Sequence, residues 1–170
     1  AIGLGIVALI YDREASRSLL RPAPIPILMG VLVGGFMTIA THIIYPEIAR
    51  LIPRITSDTA LLYAAFRSPS TWVSTLCIAP VILGEELVWR GVIQGEFSRR
   101  LGPMLSIVLT AACYSVVHIP MGSPVLVLVG LVCGLAWGAL RAATDSLQAV
   151  IVAHLLWDIM VLIWLPLDMG

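Results

Sequence analysis

Residues 124–140 read PVLVLVGLVCGLAWGAL, an apolar run that meets no charged side chain until Arg141. An α-helix needs about 20 such residues to cross a hydrocarbon layer, and in lipid only a helix or a closed barrel satisfies all of its own backbone polar groups. Gly130, Gly134 and Gly138 fall every four residues and so share one helical face. That is the small-residue pattern by which membrane helices approach closely. The polar stretch 141–145 ends the run.

Comparable segments lie on both sides of it. Residues 146–167 follow, and residues 104–119 precede, ending at Pro120. Residues 72–97 form another segment, interrupted by Glu85, Glu86 and Arg90. Residues 25–45 carry Gly30 and Gly34 four apart and stop near Pro46. Residues 1–10 are too short to span and read as a helix trimmed at its outer end. Between residues 47 and 70, Arg50, Arg54, Asp58 and Arg67 are interleaved with apolar pieces, the pattern of an amphipathic helix lying at the interface. The fold class is therefore all-α, a polytopic transmembrane helix bundle of about five full spans plus a truncated N-terminal helix. It divides into N-terminal membrane helices with an interfacial segment (1–71) and a C-terminal helix core (72–170), one membrane domain overall.

Composition agrees with this reading. The chain is 59% hydrophobic and 12% charged, against about 45–50% and about 25% in a soluble domain. Net charge is zero, which gives no basis for a nucleic-acid partner. All ten basic residues are arginine, a trait of base composition rather than chemistry. Arginines are more numerous in the connections after the first, third and fifth segments (Arg13, Arg17, Arg21, Arg99, Arg100, Arg141) than in those after the second and fourth, which places the odd connections in the cytoplasm. Trp72, Trp137 and Trp164 lie towards segment ends, where interface anchors are expected. Cys77, Cys113 and Cys133 stand singly in apolar text and suggest neither a disulfide nor a metal site. His42 reads as an interfacial or packed histidine.

A charged side chain at the centre of a membrane helix costs about 2.5–3.5 kcal/mol on insertion scales, so such residues are functional candidates by default. This chain has few: Glu85, Glu86 and Arg90 in the third segment, His118 at the end of the fourth, and His154 with Asp158 in the sixth. Residues four apart share a helical face, so Glu86 can pair with Arg90 and His154 with Asp158. Glu85 is turned about 100° from Glu86, which frees one carboxylate for chemistry while the other is paired. Ion pairs and hydrogen-bonded histidines also serve as glue between membrane helices. A carboxylate and two imidazoles from three helices argue instead for one shared site.

Read in order, the motifs are EExxxR at 85–90, an aromatic-xxxH at 114–118 and HxxxD at 154–158. As a set, over about residues 72–167, they resemble the CPBP family of intramembrane proteases, the CAAX proteases and bacteriocin-processing enzymes that include the type II CAAX prenyl endopeptidases. Tyr114 stands where that family commonly has phenylalanine, and Asp158 where asparagine is frequent. The resemblance implies that Glu85 and His118 activate a water, and that His154, with Asp158, stabilises the oxyanion. Glu86 and Arg90 would then form a structural pair beside the site. Low-dielectric surroundings make a carboxylate a better proton acceptor and preorganised donors more effective.

The resemblance further implies a peptide substrate or a protein C-terminus, a lipidated one included, in a setting of membrane lipids, with a bacterial cytoplasmic membrane as the location. No cofactor is expected. Zinc held by Glu85, His118 and His154 is the alternative, although the chain lacks the HExxH spacing that signals it strongly. Two other functions compete, a proton-coupled transporter and a catalytically silent scaffold or immunity protein. Against the first, the two halves show no inverted repeat of interrupted helices.

Overall fold

The computed structural model describes residues 23–66 and 70–167, together with residues 3 and 21. Most of the 1–10 run and Arg13, Arg17 and Arg67 fall outside the described residues. Among those described, every regular element is helical: α1 (Pro24–Leu51), α2 (Arg54–Phe66), α3 (Thr71–Glu86), α4 (Gln94–Leu101), α5 (Pro103–Val116), α6 (Pro124–Thr144) and α7 (Leu147–Asp158). Leu87–Ile93 joins α3 to α4 as a π-helical segment, Ile159–Trp164 continues α7 as a second one, and Ile119–Met121 is a short 3-10 turn.

Four stretches are long and apolar enough to cross a membrane: α1, α5 with its 3-10 turn, α6, and α7 with its π-helical continuation. The expected fifth span exists as an unbroken helical path from Thr71 to Leu101. Its α-helical part alone is shorter than a bilayer crossing, at 16 residues, and the continuation carries Arg90, Glu96, Arg99 and Arg100. α1 also runs past Pro46 to Leu51 rather than stopping there. A proline removes one backbone donor, and a membrane helix accommodates that loss where a soluble one commonly ends.

The surface of α1 is inside out compared with a soluble helix. Ile25, Leu28, Leu32, Phe36, Ile39 and Ile43 are exposed, whereas the buried positions are Gly30, Gly34, Thr38 and Tyr45. Large apolar side chains therefore face lipid, and small ones face the neighbouring helix. α1 lies parallel to α7. A Cβ on Gly30 would clash with the Ala149 carbonyl oxygen, and one on Gly34 would come within 2.8 Å of the Ala153 oxygen. Trp157 Nε1 donates to Thr41 Oγ1 (3.0 Å) across the same contact.

α7 is the central element, flanked by α1, α3 and α6, while α5 packs antiparallel to α6 and α4 folds back on α5. Gly102 (φ 83°) and Asp145 (φ 48°) turn the chain at one end of the bundle. Asp145 ends α6, and Ser146 caps α7 by accepting from Ala149 N. Arg21, Arg99, Arg100 and Arg141 gather at this end; the opposite end carries α2. Tyr63 fastens α2 there. Its hydroxyl donates to the Val161 carbonyl (2.6 Å) and accepts from Leu167 N (3.0 Å). Burial pushes that hydroxyl's pKa up, against the lowering by the Leu167 N–H, so the donated proton is retained.

His42 is packed, with its ring nitrogens on the Thr38 and Leu165 carbonyls at 2.8 Å each. Trp72 and Trp164 meet edge to face, with centroids 5.0 Å apart, and both are exposed. Trp137 corrects the anchor reading: it is 1% exposed. It lies nearly two turns before the end of α6, on the face turned towards α7 and α5.

Candidate active site

The first π-helical segment begins immediately after Glu86, where the wider winding redirects the residues that follow relative to an α-helical continuation. Pro80, inside α3, has already removed one backbone donor upstream. The two adjacent carboxylates face different partners. Glu85 is half-buried, and its Oε2 accepts from the Tyr114 hydroxyl at 3.0 Å. Glu86 is fully buried, and its Oε1 accepts from Arg90 Nη1 (3.0 Å) and from His154 Nδ1 (2.7 Å).

Glu86 is thus more than the helix-internal partner of Arg90. It joins α3 to α7 through a histidine 68 residues away in sequence. The i,i+4 spacing signals the pairing with Arg90, whereas the contact with His154 depends on how two helices pack, which no spacing encodes. The Arg90 guanidinium is also fully buried, 4.6 Å from the Tyr114 ring centre and 5.3 Å from that of Trp137. Such stacking lowers the cost of keeping the cation out of water.

His154 lies flat against Trp137, with ring centres 3.7 Å apart and planes 22° from parallel. Its Nε2 is 3.5 Å from Asp158 Oδ2. A carboxylate accepts but does not donate, so Nδ1 carries hydrogen towards Glu86, and Nε2 is the nitrogen turned to Asp158.

His118 occupies the step from α5 into the 3-10 turn and is half-buried. Its Nδ1 is 2.7 Å from the Tyr114 carbonyl oxygen, which can only accept. Nδ1 therefore holds the proton and leaves Nε2 as the basic nitrogen. A Cβ on Gly130 would come within 3.2 Å of His118 Nδ1, so glycine at that position makes room for the imidazole. The glycine ladder of α6 also serves helix packing, since a Cβ on Gly134 would meet Ala111 at 3.0 Å.

Tyr114 is the residue whose importance the motif understated. Its hydroxyl holds Glu85, its ring covers Arg90, and its carbonyl holds His118. The His118 ring stands edge-on to it at 4.9 Å. The signal was the hydroxyl at this position, because a phenylalanine there could not reach Glu85.

Glu85 and His118 thus share Tyr114, while Glu86, His154 and Asp158 form a deeper, buried row. Among the described residues, no three His, Cys, Asp or Glu side chains come close enough to hold a metal ion.

The family model described as "Type II CAAX prenyl endopeptidase Rce1-like" matches residues 65–160. That interval contains Glu85, Glu86, Arg90, Tyr114, His118, His154 and Asp158. No curated protein and no solved structure matches the chain.

Proposed function

Since the chain belongs to the Rce1-like family of type II CAAX prenyl endopeptidases, we propose that it hydrolyses a peptide bond within the membrane, using water activated by Glu85 and His118. An integral membrane protease acting on a peptide or protein is what membership in the family and the spanning helices together indicate. The observation that supports the finer reading is the sharing of Tyr114, whose hydroxyl donates to Glu85 and whose carbonyl accepts from His118 Nδ1, both residues being half-buried.

In this mechanism Glu85, with His118 Nε2, takes a proton from water, and the resulting hydroxide adds to the scissile carbonyl. Negative charge develops on the carbonyl oxygen. His154, its Nδ1–H held by Glu86, donates to that oxygen from Nε2 once that nitrogen is protonated. Asp158 lies beside the same nitrogen and orients it. The proton taken from water then passes to the leaving amine as the carbon–nitrogen bond breaks. Arg90 fixes Glu86 and does not meet the substrate. The resemblance extends to a C-terminal substrate, a lipidated one included, and to a bacterial cytoplasmic membrane.

Glu85→Gln keeps the shape and the hydrogen bond from Tyr114 but cannot accept the proton. Purified and tested on peptides ending in a CAAX sequence, with and without a prenyl group, this variant is expected to lose turnover while keeping its melting temperature. Substantial turnover by Glu85→Gln would remove the proposed base.

A further inference from the structure

A column of buried polar side chains continues from the site towards the end of the bundle that carries Arg141. On the path from α3 to α4, Glu86, Arg90 and Gln94 recur every four residues, with exposures of 0%, 0% and 3%. α5 runs the other way and presents Tyr114, Thr110 and Ser106 at the same spacing, all buried. α6 supplies Trp137, Gly138 and then Arg141. The layers are in register: Arg90 lies over the Tyr114 and Trp137 rings, and one turn further Gln94 Nε2 donates to the Gly138 carbonyl at 2.8 Å. A Cβ on Gly138 would stand 3.4 Å from Gln94 Oε1, so the glycine leaves that oxygen uncovered.

The polar atoms of this column are under-used. Glu86 Oε2, Arg90 Nε and Nη2, Trp137 Nε1, Gln94 Oε1, Thr110 Oγ1 and Arg141 Nε are buried and have no hydrogen-bond partner within the protein. Both donors and acceptors are found along it from the site to Arg141, which pairs with the exposed Asp145 at 2.7 Å. Buried polar groups are almost always satisfied, and an internal water typically makes about three hydrogen bonds to such groups. Glu86, Arg90 and Trp137 offer four such atoms around one layer, Gln94 and Thr110 two in the next, and Arg141 one at the end.

We propose that this seam binds a file of internal water running from the Arg141 end of the bundle to Glu86 and Arg90. It connects the aqueous phase to the site through the protein interior rather than through lipid. Its ligand is water, and protons pass along it by exchange between neighbouring molecules. That this water serves hydrolysis rests on the proposed function; its presence does not.

Radiolytic hydroxyl footprinting of the full-length protein in lipid nanodiscs reads the file directly, because radicals generated from bound water oxidise the adjoining side chain even when it is buried. Two tryptophans of the same core make the comparison. Trp137 has an unpartnered N–H, whereas Trp157 gives its N–H to Thr41. Oxidation of Trp137 with Trp157 spared is the expected result. Equal protection of both overturns the proposal, and this comparison needs no variant.

Thr110→Val with Gln94→Leu removes polar atoms from the middle of the seam. Loss of Trp137 oxidation in that folded protein supports the path, whereas undiminished oxidation overturns it. Should the double variant fail to fold, Thr110→Val alone carries the same comparison. Oxidised Trp137 in a protein that cleaves no peptide would leave the water file standing and remove the protease reading. Cleavage with Trp137 protected would do the reverse.

Discussion

At the scale of single residues, the site depends on which atom of each side chain is already committed. Tyr114 spends its hydroxyl on Glu85 and its carbonyl on His118. Tyr114→Phe therefore removes one hydrogen bond and leaves the stacking on Arg90 in place. A hydrogen bond to a charged group contributes about 1.5–3 kcal/mol, so the variant is expected to lose stability of up to that order and turnover by roughly ten- to a hundredfold. Unchanged kcat would show that Glu85 needs no positioning by Tyr114. Glu86→Gln differs in kind, because Glu86 faces both Arg90 and His154 with no exposure. Breaking one partner of a buried ion pair costs about 3–5 kcal/mol, so this variant is expected to lose folded yield before any kinetic effect can be read. Expression and detergent melting of the two variants side by side test the distinction. A Glu86→Gln protein as stable as the parent would contradict it.

At the scale of elements, packing in the membrane is governed by the absence of side chains as much as by their presence. Gly34 and Gly35 are neighbours on α1 with opposite surroundings: a Cβ on Gly34 would meet the Ala153 carbonyl oxygen at 2.8 Å, and one on Gly35 would meet nothing within 4 Å. Gly34→Ala is expected to lower stability by about 1–3 kcal/mol through overpacking, whereas Gly35→Ala is neutral or gains up to about 1 kcal/mol of helix propensity. Thermal unfolding in detergent distinguishes them, and equal effects would show that α1 and α7 separate readily. The helices themselves were legible in the sequence because apolar length and small-residue spacing are local properties. The two π-helical segments were not, since widening the helix by one residue leaves no mark on composition. That Trp137 lies in the core rather than at the interface was not legible for a related reason. Position along a segment gives depth in the membrane, but not which neighbour a face will meet. The motif residues could be named from their order in the chain, yet the sharing of Glu86 between Arg90 and His154 required the arrangement of α3 against α7.

At the scale of the whole molecule, the short connections set direction. Arg21, Arg99, Arg100 and Arg141 lie at one end of the bundle and Arg50 and Arg54 at the other, where Glu47 and Asp58 pair with them. The excess of arginine predicts that the Arg141 end faces the cytoplasm. In a background lacking Cys77, Cys113 and Cys133, a cysteine at exposed Ala143 should react with an impermeant maleimide only in inverted vesicles. One at exposed Ser57 should react only in right-side-out vesicles. The opposite pattern would reverse the orientation and place the water file's mouth on the other side of the membrane.

The Tyr63 clasp bears on what counts as a separable unit. The family signature occupies residues 65–160, yet Tyr63 precedes that interval, and both of its partners, Val161 and Leu167, follow it. α1, which seats its glycines on α7, lies wholly before it. The inherited signature and the piece of chain able to stand alone therefore have different borders. Excising the signature would strip the central helix of one lateral neighbour and of the tie at its far end, so a fragment cut at those borders should fail to hold His154 in register even with every motif residue present.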